Sequence, residues 1–269
     1  MRTHIASTSA LPIRHSEWVS GLSLSQCQTV FAIMHTNTSD PAIVDLWIWP
    51  LDIDSRERER LYGFLSEDEK ARVERFVHGR HARRFITARG GMRERLASYG
   101  KSAPDQLHFA ANAYGKPYLT GENTGLCFNL SHSLDLAALA VTYHCEIGVD
   151  IEIIRPIEEE IAETFFSPRE RADLASLPPA ERERGFFQAW TRKEAFVKAL
   201  GQGLAIPLDS FDVSVKPDEP PQLLRWQDGN PDAAHRWRLH HFEARSDCVG
   251  AVAIPSPHSA LSFKTSVRA

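Results

Sequence analysis

Cysteine is scarce and scattered: Cys27, Cys127, Cys145 and Cys248 are the only four in 269 residues, and no two form a C-x-x-C pair. That spacing excludes a dithiol redox centre and a thiolate zinc site, and reads as reduced thiols in a cytoplasmic protein. No apolar run approaches the roughly 20 residues a membrane-crossing helix needs. The longest, Leu136 to Tyr143, suits a buried strand instead. Arg2 and His4 stand near the start, but no apolar stretch follows them, so neither a secretory leader nor a membrane partner is expected. A charge excess is missing too. Lys and Arg number 31 against 35 Asp and Glu, a net −4 that gives no global attraction to a polyanion. A glycine-rich phosphate loop is also absent, which weighs against nucleoside triphosphate chemistry.

What is present favours a packed, mixed fold. Hydrophobic residues make up 42%, with 14 Phe and 6 Trp, enough for a substantial core. Residues 1–40 show no sustained periodicity and read as an extension. From Ile43 to Trp49 the alternation predicts a strand. Ser66 and Glu69 form a capping box that opens a helix with Val73, Phe76 and Val77 on one face, interrupted at Gly79. Phe85, Ala88, Met92, Leu96 and Tyr99 continue at helical spacing, with Gly100 as the stop. After a turn-rich stretch come strands over 136–143 and 147–154, helices near 158–165, 168–176 and 181–200, and closing strands over 209–215, 237–242 and 249–254. Each half runs strand, helices, strands. The expected class is α+β, in an N-terminal lobe 41–145 and a C-terminal lobe 146–254, with a frayed Ser-rich tail over 255–269.

Three segments carry candidate chemistry. If Gly148 to Glu152 is a strand, Asp150 and Glu152 share one face, about 6–7 Å apart, while Val149 and Ile151 face the core. Paired carboxylates on a rigid strand suit Mg²⁺, a cation that prefers oxygen ligands. About four or five acid-x-acid patterns arise by composition alone, so the pair is not specific by itself. On the helix beginning before Trp190, Glu194 and Lys198 lie four apart on one face. They are either a surface ion pair or a third metal carboxylate beside a phosphate-binding lysine. Ser131, His132 and Ser133 read as a Ser-rich loop before an apolar strand, a phosphate contact or an ordinary turn. Lys116, in the Gly115-Lys116-Pro117 turn, could meet an anion or simply be exposed. Eight arginines between Arg72 and Arg95 read mainly as a solvated face.

Taken together and in this order, the segments Arg75 to Arg80, Gly115 to Pro117, Asn129 to Ser133, Gly148 to Glu152 and Trp190 to Lys198 resemble the Sfp-type phosphopantetheinyl transferases. Phe165 to Ser167 and Pro207 to Phe211 add to the likeness, which covers about residues 43–254. The resemblance implies two pseudo-symmetric α+β lobes in a single chain, with coenzyme A and Mg²⁺ (or Mn²⁺) between them. It assigns Asp150, Glu152 and Glu194 to the metal. His132, with Ser131 beside it, falls at the 3′-phosphate of coenzyme A, and Lys198 at the pyrophosphate. Arg80 and Lys116 fall at positions that hold coenzyme A phosphates. Ile151 cannot be a ligand, so waters or phosphates complete the metal octahedron.

The implied reaction moves 4′-phosphopantetheine from coenzyme A to a serine of an apo acyl or peptidyl carrier protein, releasing adenosine 3′,5′-bisphosphate. Glu194 and Lys198 are its expected catalytic pair. The carriers expected are those of nonribosomal peptide, polyketide, siderophore or fatty-acid assembly, and a monomer is sufficient. Two other readings remain. One is a different Mg²⁺-dependent phosphoryl or nucleotidyl transferase. The other is a nucleic-acid-binding module on Arg72–Arg95, against which the net acidity counts.

Overall fold

The computed structural model describes residues 42–264, apart from 122–124, 158 and 227–231. The extension expected over 1–40 lies outside the described residues. Among those described are six α-helices and eleven strands. Strand β1 (Ala42–Pro50) is followed by α1 (Ser55–Gly63), α2 (Glu67–Glu74) and α3 (Gly79–Ala97). A short hairpin, β2 (Phe109–Ala111) and β3 (Pro117–Leu119), leads to β4 (Leu126–Ser133), β5 (Leu136–Tyr143) and β6 (Gly148–Ile153). Helices α4 (Glu159–Phe165), α5 (Pro168–Ser176) and α6 (Pro179–Leu200) follow. The chain ends with β7 (Asp212–Val213), β8 (Leu223–Arg225), β9 (Arg238–Arg245), β10 (Cys248–Ile254) and β11 (Ser259–Lys264). The α+β class is as expected.

The first sheet runs β11-β1-β5-β4 and the second β6-β10-β9. Strand alternation explains their stacking. In β5, Leu136, Ala138 and Ala140 enter one core while Ala137, Leu139 and Val141 enter another. A strand buried on both faces reads as a continuous apolar run. On one side lies α3, contributing Ala88, Met92 and Leu96 against Trp47 and Trp49 of β1. On the other, Val149, Ile151 and Ile153 of β6 meet Val44, Leu46, Ala138 and Ala140. The far face of the second sheet is covered by α6, whose Ala195, Phe196 and Ala199 pack with Val249, Ala251 and Ala253 of β10. The layers therefore run α3, first sheet, second sheet, α6.

Capping boxes open α2 and α5, at Ser66–Glu69 and Ser167–Glu170. In each, the cap glutamate has a second set of partners. Glu69 accepts from Arg89 and from buried Arg93 on α3. Glu170 accepts from the Val213 amide and pairs at 2.8 Å with Lys193, both side chains fully buried. Lys193 also donates to the Leu208 and Phe211 carbonyls, so no buried charge there is left unsatisfied.

Several local expectations are corrected. The stretch read as a Ser-rich loop is strand β4, paired along its length with β5. The tail expected to fray includes β11, parallel to β1 from Ala42↔Ser259 to Trp47↔Lys264. The helix through Val73 stops at Glu74, and Gly79 begins the next helix rather than interrupting one. Over 209–215, only Asp212 and Val213 pair as a strand, because Leu208–Ser210 turn as a 3-10 helix first. Nor are the arginines of 72–95 one solvated face. Arg72, Arg75, Arg80 and Arg83 are exposed, but Arg93 is buried and Arg84, Arg89 and Arg95 are half-buried. Arg95 lies 4.1 Å over the Trp49 ring, and Arg84 holds Asp52 through two bonds.

Candidate active site

The site forms where β6 leaves the second sheet with one edge unpaired. Asp150 and Glu152 point to the face that α6 covers, opposite the core residues Val149 and Ile151. Gly148 sets how close α6 comes. A Cβ there would lie 2.0 Å from the Ala195 carbonyl oxygen and 2.4 Å from the Ala199 nitrogen, so only glycine lets the strand touch the helix backbone. That contact brings Glu194 and Lys198, one turn apart on α6, over the two strand carboxylates.

The free edge of β6 is completed by side chains of β4. Asn129 Oδ1 accepts from the Val149 amide at 2.9 Å, and Ser133 Oγ from the Ile153 amide at 3.2 Å. The same row of alternate residues orients the carboxylates. Ser131 Oγ donates to Asp150 Oδ1 at 2.8 Å, and Ser133 Oγ to Glu152 Oε2 at 2.7 Å. Lys198 Nζ donates to Asp150 Oδ1 at 2.6 Å and to Ser131 Oγ at 3.1 Å. Arg155 Nη1 reaches Glu152 Oε2 at 3.0 Å while its guanidinium lies 5.0 Å over Phe187. Asp150 Oδ2 is buried with no hydrogen-bond partner among the described residues.

Electrostatics follow from crowding. Burial, and then the neighbouring Asp150 charge, pushes the Glu194 carboxyl up to about 7. The same two causes raise Glu152. Burial works against the Lys198 ammonium, but Asp150 and Glu194 outweigh it and leave its pKa raised. His132 is lowered, first by burial and then by the Lys198 charge. Three mutually repelling carboxyls beside one ammonium leave an excess of negative charge at a place where charge is costly. Among the described residues no three His, Cys, Asp or Glu side chains close tightly enough to hold a metal ion.

The structure thus gathers Asp150, Glu152, Glu194, Lys198 and Ser131 directly, with His132 near enough to feel Lys198, Asp150 and Arg84. Arg80 is not in this cluster. It is exposed on α3, 3.7 Å from Asp52, beside a pocket of about 220 Å³ lined by Leu51, Asp52, Ile53, Arg58, Arg80 and Arg83. Lys116 is also elsewhere, bonded to Glu146 and to the Ala199 carbonyl. Ser133, Asn129 and Arg155 take part without having been singled out for these roles. The period-two spacing of Asn129, Ser131 and Ser133 is the signal that points to them.

Comparison with known proteins places this arrangement. Residues 146–253 match the family model described as the 4′-phosphopantetheinyl transferase superfamily, and residues 54–144 match 4′-phosphopantetheinyl transferase, N-terminal. The chain is 40% identical over 215 residues to the 4′-phosphopantetheinyl transferase HetI of Nostoc sp., covering 78% of this chain and 87% of that one. It is 33% identical over 166 residues to the 4′-phosphopantetheinyl transferase Sfp of Bacillus subtilis, covering 62% and 73%. A holo-[acyl-carrier-protein] synthase from Thermotoga maritima aligns over 40% of this chain and 61% of its own, at 18% identity and a TM-score of 0.31. The chain belongs to the 4′-phosphopantetheinyl transferase family. It is a transferase that moves phosphopantetheine from coenzyme A to a carrier protein.

Proposed function

We propose that Asp150, Glu152 and Glu194 hold a divalent cation, Mg²⁺ with Mn²⁺ as its substitute, and that coenzyme A reacts beside it. The donor set suits a hard cation by its chemistry, and the three carboxyls would have to draw together around it, since they do not close on one point in this structure. It is all carboxylate oxygen, and among the described residues Asp150 Oδ2 is buried and unpartnered. A cation there would relieve the repulsion that raises Glu152 and Glu194. When bound, it supplies positive charge to the pyrophosphate oxygens as the phosphoanhydride bond breaks.

The chain's own residues do the rest. The carrier serine oxygen attacks the β-phosphorus, and adenosine 3′,5′-bisphosphate leaves. Glu194 accepts the serine proton, directly or through water, as a carboxylate held at the reacting centre. Lys198, held by Asp150 and Ser131, is placed to balance charge on the transferring phosphate. His132 and Ser131 meet the 3′-phosphate side of coenzyme A. Exposed Arg80 supplies a further phosphate contact, and exposed Arg83, with half-buried Arg84 beside it, forms the side that receives an acidic carrier. The carriers are acyl or peptidyl carrier domains of nonribosomal peptide, polyketide, siderophore or fatty-acid assembly. The enzyme acts as a soluble cytoplasmic monomer that needs no nucleic acid. Two lobes, 41–145 and 146–254, are supported by the two family matches, which meet between 144 and 146, and by the cap glutamates, one in each half.

The observation carrying this reading is the convergence of Glu194 and Lys198 on Asp150 across the Gly148 contact. Its test is Glu194→Gln assayed for carrier modification alongside Mg²⁺ binding by calorimetry. Turnover should fall by about 10²–10⁴-fold for loss of a general base. Full turnover with Mg²⁺ still bound would assign the base elsewhere.

A further inference from the structure

Lys116, which the likeness assigns to coenzyme A, is committed by the structure to a different task. Lys116 sits in the turn between β2 and β3. Asn112 Oδ1 accepts the amides of Tyr114 at 2.9 Å and Lys116 at 3.0 Å, so the turn is held by its own side chain. From it, two groups reach the C-terminal end of α6. Asn112 Nδ2 donates to the Gly201 carbonyl at 2.9 Å, and Lys116 Nζ to the Ala199 carbonyl at 3.0 Å. These carbonyls are among those a helix C-terminus leaves without internal partners, and a lysine there also meets the negative end of the helix dipole.

Lys116 Nζ has a second partner, Glu146 Oε2 at 2.5 Å. Glu146 lies two residues before Gly148, where β6 begins. One ammonium is therefore bonded both to α6, next to Lys198, and to the lead-in of β6, four residues before Asp150. Between those anchor points lies the Gly148 contact with Ala195 and Ala199. The side chain of Lys116 is only 14% exposed, unlike a group offered to a ligand from solvent.

We infer that Lys116 is a positioning residue, a clamp that fixes the spacing between α6 and β6 and so the distance from Glu194 and Lys198 to Asp150. It rests on the reading of those residues as the reacting centre. Glu146 is its working partner, and the hairpin around Asn112 is its mount. A phosphate contact and a clamp differ in what they do to kinetics. A clamp acts on the alignment of the reacting groups, where a displacement of about 1 Å costs roughly a hundredfold.

The test compares wild type, Lys116→Met, Glu146→Gln and the double variant. The clamp predicts that Lys116→Met lowers kcat by about ten- to a hundredfold with KM for coenzyme A within about twofold. Glu146→Gln should lower kcat in the same direction by about threefold, as befits a partly exposed ion pair, and should add nothing to Lys116→Met. Hydrogen–deuterium exchange should quicken in both single variants over residues 195–201 and 146–152. A raised KM for coenzyme A with kcat unchanged would overturn the clamp and restore the phosphate contact. So would exchange identical to wild type, which is informative even if a variant loses activity for another reason. If the wild type itself modifies no carrier, the reading of the reaction fails, while the exchange comparison still decides whether Lys116 joins the two elements.

Discussion

Replacing Gly148 by alanine tests the geometry on which the site depends. The added methyl would stand 2.0 Å from the Ala195 oxygen and 2.4 Å from the Ala199 nitrogen, against 3.4 Å or more for an ordinary contact. Both neighbours are backbone, and neither can rotate away. β6 and α6 must therefore part by more than an ångström, or the strand must twist out of its pairing with β10. Overpacking of a well-filled interior costs typically about 1–3 kcal/mol, and two backbone clashes put this case at or above the top of that range. For a domain of this size, about 3 kcal/mol corresponds to a fall in Tm of roughly 6–12 °C. Activity should suffer further, because the same displacement carries Glu194 and Lys198 away from Asp150. A loss of about a hundredfold in kcat is expected at a temperature where the variant is folded. Urea unfolding and carrier turnover, measured side by side, provide the assay. Gly63 supplies the control, since nothing lies within 4 Å of a Cβ built there and its φ is not positive. Gly63→Ala should leave activity unchanged and stability equal or slightly higher. A Gly148→Ala protein with an unchanged urea midpoint and full turnover would refute the close approach.

Lys193→Met should cost about 3–5 kcal/mol, because it leaves Glu170 buried without its counter-charge. A change below about 1 kcal/mol in urea unfolding at pH 7 would show that the pair is not buried as described. Stability in the presence of EDTA should carry a signature of Glu194. Its folded carboxyl keeps a proton that the unfolded chain has already released, so its contribution is present below about 4.5 and lost as pH rises through about 7. Relative to Glu194→Gln, the wild type should lose stability across that window. A relative gain there would contradict the raised carboxyl. At pH 8, Mg²⁺ should raise the urea midpoint of the wild type and leave that of Asp150→Ala unmoved; equal shifts would place the cation elsewhere. Arg93→Met should destabilise the α2–α3 contact by about 1–3 kcal/mol, because Glu69 keeps Arg89 but loses its second arginine and the Pro104 and Leu107 carbonyls lose their donor, and an unaltered thermal midpoint would count against it.

Local signals in the sequence are reliable where one contiguous segment carries the whole signal. The Ser66–Glu69 box, the apolar run of β5 and the periodicity of α3 are of this kind, and the structure reproduces each. β4 is hidden for a physical reason. The residues it turns toward β6 are Asn129, Ser131 and Ser133, which are buried through hydrogen bonds rather than apolar contact, so a hydrophobic alternation cannot reveal them. The arginines mislead in the opposite sense. Nothing local distinguishes Arg93, bonded to Glu69 and to the Pro104 and Leu107 carbonyls, from exposed Arg75. β11 escapes because its partner, β1, lies at the other end of the described chain. In the site, the carboxylates and Lys198 were legible from spacing and family likeness. What Gly148 permits, and where Lys116 is held, depend on how α6 sits against β6, which no single segment encodes.

The most direct measurement is intact-mass analysis of an apo carrier protein incubated with this enzyme, coenzyme A and Mg²⁺, with folded Asp150→Ala in parallel. The carrier should gain one phosphopantetheinyl unit with the wild type, and EDTA or the substitution should abolish the gain. Undiminished modification by Asp150→Ala, or transfer that persists in EDTA, would contradict the claim that the carboxylates of β6 and α6 form the reacting centre.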